Sequence, residues 1–262
     1  MAKRITKRKA LWIAAATAFV TAIVCLLVIN FIGPEKKLQR RIERHYALED
    51  PRFMHELGVL LGPGFVDGNR LTHLQNGDEI FPSMLAAIRS ARTSISFETY
   101  IYWSGDIGQE FAEALSERVR HGVKVHVLLD WVGSAKLDKR MVDEMNAHGV
   151  RVEIFHPPRW SQLGRMNNRT HRKLLVVDGR VAFTGGVGVA PQWTGNAQSP
   201  EHWRDSHFKI EGPAVAQMQA VFMENWLKVT GQVMYGKKLF SSGPDGGHQR
   251  RPGFFKFSLR RQ

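Results

Sequence analysis

A single cysteine, Cys25, stands in 262 residues, and it lies inside an apolar run, so no disulfide supports this chain. Metal-ligand spacing is missing too. His202 and His207 have no accompanying cysteine or carboxylate cluster, so neither a metal nor another cofactor is expected. No internal repeat is visible, which sets aside solenoids and propellers. The middle of the chain also lacks net charge. The formal charge is +13, but residues 45–230 hold 20 Lys/Arg against 21 Asp/Glu, a net −1. The surplus sits at the ends, +8 in residues 1–44 and +6 in residues 231–262. Bulk charge therefore gives no argument for a polynucleotide partner, and nucleic acid is not the expected ligand. Basic flanks beside an apolar segment fit anionic lipid headgroups better.

That apolar segment runs from Leu11 to Ile32, 22 residues without a charge and with only Thr17, Thr21 and Asn30 as polar interruptions. Its length spans a bilayer as a helix. A signal peptide would have a shorter core and a small-residue cleavage site, whereas this run ends in Phe31-Ile32-Gly33-Pro34. An uncleaved anchor is expected. Five Lys/Arg precede it and five follow closely, so charge does not orient it. The expected organisation is a basic segment at 1–10, an anchor at 11–32, a juxtamembrane linker at 33–74, a globular domain at 75–230 and a basic, disordered tail at 231–262. Within the linker, Glu35 to Tyr46 can form a helix with Leu38, Ile42 and Tyr46 on one face, lying on a membrane or simply solvated. Pro51 to Leu74 reads as irregular.

From Asn76 onward the periodicity alternates. Helices are expected over Asp78–Ser90, Ile107–His121, Asp138–His148 and Ala214–Val229, with strands at Ser94–Tyr102, Val123–Leu129, Val150–Phe155 and Phe208–Glu211. This order implies a mainly parallel sheet with helices on both faces. Pro157 to Asn168 is a loop whose Arg159, Trp160, Arg165 and Met166 either contact a ligand or merely connect.

The stretch from Asn168 to Gly186 carries the chemistry. Two apolar runs, Lys173–Val177 and Arg180–Phe183, flank Asp178-Gly179, a strong hairpin signal. A two-residue turn would set Lys173 opposite Thr184 and His171 opposite Gly186. His171 and Lys173, two apart, share one face. A histidine can be a nucleophile near neutral pH and a lysine can neutralise an anionic oxygen. Gly185 and Gly186 would leave the backbone open to a bulky anion. Together these describe a phosphate site. Asp178 falls at the turn, away from His171.

The pattern His171-x-Lys173-x4-Asp178-x6-Gly185-Gly186 resembles the signature of the phospholipase D superfamily. The run from about Asn76 to Leu227 is similar to the amino-terminal half of bacterial cardiolipin synthases. It carries Asn76-Gly-Asp78, Glu98-Thr-Tyr100, Asp130, Asn168-Arg-x-His-Arg-Lys173, Trp203-Arg-Asp205, Gly212-Pro213 and Trp226. The resemblance implies a phospholipase D-like α/β/α sandwich with a mixed, mainly parallel sheet, preceded by one transmembrane helix. It implies His171, Lys173, Asp178 and Asp205 as the catalytic set. His171 would be the nucleophile that becomes a phosphohistidine, and Asp205 the carboxylate on its other nitrogen. Gly185, Gly186, Asn168, Arg169 and Glu98 would bind substrate. One departure stands out, because the family often places Asn where this chain has Gly188. The implied activity is a phosphatidyltransferase of a bacterial inner membrane acting on phosphatidylglycerol or a similar phospholipid. The family needs two such motifs and this sequence has one. A homodimer would complete the site. The alternatives are a dimeric phosphodiesterase or nuclease, and an inactive remnant truncated before its second motif.

Overall fold

A computed structural model describes residues 6–31, 47, 50, 53, 58, 62, 64–157 and 169–234. The expectations for residues 35–46, the loop 158–168 with Asn168, and the tail beyond 234 lie outside the described residues. Helix α1 spans Lys7–Phe31. Its Lys7–Val28 stretch is long and apolar enough to cross a membrane and is exposed throughout.

The domain contains β1 (Arg70–Gln75), α2 (Asn76–Ser90), β2 (Ser94–Thr99), α3 (Asp106–Arg120), β3 (Lys124–Asp130), α4 (Lys139–Ala147), β4 (Arg151–Phe155), β5 (Leu174–Val177), β6 (Val181–Gly185), a 3₁₀ turn (Pro191–Trp193), β7 (Ser206–Glu211) and α5 (Ala214–Thr230). Seven strands form one sheet in the order β1-β7-β6-β5-β2-β3-β4.

Period-2 alternation separates the two faces of this sheet. Ile95, Phe97, Val125, Val127, Leu175, Val177 and Phe183 pack with α2, α3 and α4. Leu128, Phe155, Leu174, Val176 and Ala182 face α5 through Val215, Phe222 and Trp226. The Phe222 and Trp226 rings stack with centroids 5.6 Å apart. Each such fully buried side chain contributes about 1.5–3 kcal/mol relative to exposure. The helix ends follow local chemistry. Asp138 caps α4 by accepting from the Arg140 N–H, and Gly231 closes α5 in the left-handed region at φ 68°.

The sheet is mixed, as expected, but it is not mainly parallel. Only β2–β3 and β3–β4 are parallel, while β2–β5, β5–β6, β6–β7 and β1–β7 are antiparallel. The physical reason is that β5, β6 and β7 are joined without helical crossovers, and only a crossover returns a chain parallel to itself. The sheet also begins at Arg70, inside the stretch expected to be irregular. β1 is an edge strand, exposed over its first four residues, and no buried alternation marks it. Its pairing with β7 alone makes it a strand.

The hairpin has a three-residue turn. Val177 pairs with Val181 and Leu174 with Thr184, one residue off the two-residue expectation. Asp178 and Gly179 are both left-handed, at φ 53° and 62°, and Arg180 N–H bonds Val177 O at 3.0 Å. Arg180 is therefore an extra residue beyond the tight turn.

Candidate active site

The parallel strands β2 and β3 end at Thr99 and Asp130. Antiparallel β5 begins beside them, with Leu174 paired to Glu98, and β6 ends where β7 begins, with Gly185 paired to His207. Tyr100, Asp130, His171, Lys173, Gly185 and Asp205 therefore converge on one edge of the sheet.

His171 is exposed and Lys173 is buried. The Lys173 Nζ lies 3.4 Å from His171 Nδ1 and 3.3 Å from Nε2. Near-equality to both ring nitrogens places the ammonium over the imidazole rather than in line with either lone pair. Lys173 Nζ also donates to His171 O at 3.2 Å. The Tyr100 ring packs on His171 with centroids 4.7 Å apart. Partial burial, then the Lys173 cation, hold the His171 pKa below its ordinary value, against the opposing pull of Asp130. The imidazole is thus biased to its neutral, nucleophilic form. Burial also lowers the Lys173 pKa, which the Asp205 carboxylate partly restores.

The segment 169–173 is in no strand, so side chains must position it. Thr170 does most of this. Its hydroxyl donates a short bond to Glu98 Oε1, and its N–H bonds Asp130 Oδ2 at 3.0 Å. Asn225 of α5 donates to Glu98 Oε1 at 2.7 Å. Asp130 is itself fixed by the N–H groups of Val132 and Gly133. On the other side of His171, Arg172 bonds Val221 O at 2.9 Å and Glu224 at 2.8 Å. Both neighbours of His171 are therefore tied to α5.

Several expected residues sit elsewhere. Glu98, expected to bind substrate, is fully buried under Thr170, and burial raises its pKa. It reaches the site through Thr170 and Asn225. Asp178 lies at the far end of β5 and is not brought to His171. Its carboxylate accepts from the N–H groups of Arg92, Thr93 and Ser94 and from the Thr93 hydroxyl, clamping the hairpin tip to the start of β2. Asp205 lies near the site but accepts from Trp193 Nε1 at 3.0 Å and Ser206 N–H at 2.8 Å, not from His171. Asn76 locks it from behind: Asn76 N–H bonds Asp205 O, and Asp205 N–H bonds Asn76 Oδ1.

The space over the glycine pair is occupied rather than open. A Cβ on Gly186 would lie 2.1 Å from Asp205 Oδ1, and one on Gly185 2.7 Å from His207 Nδ1. Gly186 makes room for the Asp205 carboxylate, and Gly185 for the start of β7, whose Ser206 O and His207 Cα lie nearest. Gly188 has a packing reason as well, because a Cβ there would meet the Ile101 Cβ at 2.8 Å. Arg169 stands next to Thr170 with its guanidinium carbon 5.5 Å from the centre of the Trp131 ring. Sequence reasoning missed Thr170, Asn225 and the place of His207 near Lys173. A threonine and an asparagine far apart in sequence carry no local signal. His207 is fully buried, and burial, then Lys173, lower its pKa to about 4 against the effect of Asp205. Among the described residues, no group of three or more His, Cys, Asp or Glu could hold a metal.

Comparison with known proteins places the chain in a family. The family described as "Cardiolipin synthase, PLD-like domain" matches residues 84–226. Cardiolipin synthase 1 of Bacillus cereus is 40% identical over 156 residues, 59% of this chain and 30% of the relative. The cardiolipin synthase of Geobacillus kaustophilus is 39% identical over 160 residues, 61% of this chain and 32% of the relative. The chain thus spans about a third of the length of these relatives. In fold it is similar to Nuc from Salmonella typhimurium, a phospholipase D family member (TM-score 0.50, 15% identity, 62% of this chain and 97% of that one). NucT from Helicobacter pylori is similar to the same degree (TM-score 0.50, 13% identity, 64% and 100%).

Proposed function

The chain belongs to the family of cardiolipin synthase phospholipase D-like domains, and on that premise we propose that it is a membrane-anchored phosphatidyltransferase working through a phosphohistidine. The observation that carries this reading is His171, held neutral beneath the Lys173 ammonium at an exposed sheet edge. His171 would attack the phosphorus of phosphatidylglycerol. A P–N bond forms, the P–O bond to glycerol breaks, and glycerol leaves with a proton from an acid. Lys173 would neutralise the non-bridging oxygens. The hydroxyl of a second phosphatidylglycerol would then attack, its proton passing to the same group, restoring His171 and giving cardiolipin.

Among the described residues, His207 is the other imidazole near Lys173, but burial and a pKa of about 4 make it a poor proton donor near neutral pH. We assign the acid to a second copy of the chain, whose His171 would face the first in a homodimer. Helix α1 would hold both in the bacterial inner membrane.

The test is the full chain in phosphatidylglycerol mixed micelles, assayed for cardiolipin and glycerol beside His171→Ala. Cardiolipin from the wild type and none from the variant supports the reading. No product from a folded wild-type chain defeats it.

A further inference from the structure

An open pocket of about 480 Å³ adjoins His171, and Lys173 is not part of its wall. Its wall consists of Phe155 and His156 at the end of β4, Arg169–Arg172 before β5, and Asn225 and Lys228 of α5. The volume is that of a small-molecule site. Its charge is unbalanced toward the positive. Arg172 and Lys228 share one carboxylate, Glu224, at 2.8 and 2.7 Å. Two cations hold that carboxylate down to a pKa of about 2, so it stays an anion and one positive charge remains uncancelled. Arg169 pairs with no carboxylate among the described residues, and its Nη1 is removed from solvent with no hydrogen-bond partner. A buried donor left unpaired costs about 1–3 kcal/mol, so an acceptor that drew the Arg169 guanidinium toward the pocket would relieve that cost. His156, on the same wall, is held at φ 49°, a backbone state that costs a non-glycine residue on the order of 1 kcal/mol.

We propose that this pocket binds the phosphodiester of a second phospholipid, the acceptor, while the donor phosphate lies against His171 and Lys173. The term acceptor rests on the phosphatidyltransferase reading; the anion site itself does not. Water or a simple alcohol would need no cations here. An acceptor that carries its own phosphate within a glycerol's length of the attacking hydroxyl does. Arg169 supplies a planar fork of donors suited to phosphate, and Lys228 a mobile point charge at the rim. His171 is the one residue common to both subsites.

The experiment uses the full chain carrying His171→Ala, in uncharged detergent, titrated with dihexanoylphosphatidylglycerol by calorimetry. Two equivalents should bind. Arg169→Gln should weaken one of them about tenfold, the loss expected for a charge-assisted hydrogen bond. Lys228→Gln, at an exposed position where folding is not at stake, should weaken the same one, and Lys173→Met the other. A single equivalent, lost with Lys173→Met and indifferent to Arg169→Gln and Lys228→Gln, overturns the proposal. So does equal binding of the second equivalent by dihexanoylglycerol, which has no phosphate. Inorganic phosphate displacing it at equal concentration overturns the lipid assignment in favour of a free-phosphate site. Two equivalents bound by a chain whose wild type makes no cardiolipin would uphold the anion site and defeat the transferase reading. Product with one equivalent would do the reverse.

Discussion

Partial burial and the Lys173 cation together set when His171 carries charge. Because partial burial and the Lys173 cation lower the His171 pKa below 6.5, the neutral nucleophile persists to lower pH than a free histidine would. The acid limb of kcat/KM should therefore have its midpoint below 6.5, with activity falling as pH drops through it. In Lys173→Met, the NMR titration of His171 should move upward; an unmoved midpoint would show that the ammonium does not act on the ring. His207 bears on stability. Its pKa falls from 6.5 to about 4 on folding, so the unfolded chain binds the proton more readily. Stability should be full above pH 6.5 and decline toward pH 4, by on the order of 3 kcal/mol for this one group. Half-buried His126, also lowered to about 4, adds a decline in the same direction. Urea midpoints at pH 7 and 5 should differ less in His207→Gln than in the wild type.

At the scale of elements, two clamps hold β5. Asp178 fastens its far end to β2, and Thr170 fastens the segment before its near end to β2, β3 and α5. Asp178→Ala removes four hydrogen bonds to one carboxylate, three of them from backbone N–H groups left at the start of β2. It should lower stability by about 2–4 kcal/mol in urea melts, while folded protein keeps its His171 titration, because the clamp is a full strand away. Thr170 should behave differently. Thr170→Val strands Glu98 and Asn225 without their hydroxyl partner and frees the His171 segment, so kcat should fall with KM little changed. Thr170→Ser retains the hydroxyl and should restore most of kcat. If Val and Ser variants lose activity equally, the hydroxyl does not position His171.

For the whole molecule, charge and hydropathy are separated along the chain. The +8 and +6 ends flank a domain of net −1, so adhesion to an anionic surface is expected from the ends and from α1. A chain lacking residues 231–262 should bind phosphatidylglycerol vesicles more weakly, with a shallower dependence on salt, in a sedimentation assay between about 0.05 and 0.5 M NaCl. Unchanged binding would confine the adhesion to residues 1–44 and α1. Of the single-motif readings, the homodimer is the one in which each protomer lends a histidine to the other, and its activity should rise faster than linearly with protein concentration near the dimer dissociation constant.

Local pattern was enough for much of this molecule. The helices from α2 to α5, the strands from β2 to β7, the hairpin and the His171–Lys173 pair all follow from periodicities and turn residues within about twenty positions, because each is set by neighbours along the chain. Tertiary structure decided the rest. The strand directions depend on which strands meet without crossovers, the strand character of Arg70–Gln75 exists only through β7, and the third residue of the turn shows only in the pairing of Val177 with Val181. The same holds for the glycines, whose missing Cβ atoms make room for Asp205 and His207, and for Glu98, whose partners Thr170 and Asn225 lie 72 and 127 residues away. Contacts between residues so distant leave no period to read, since they arise only when the sheet has assembled and brought those side chains to one edge.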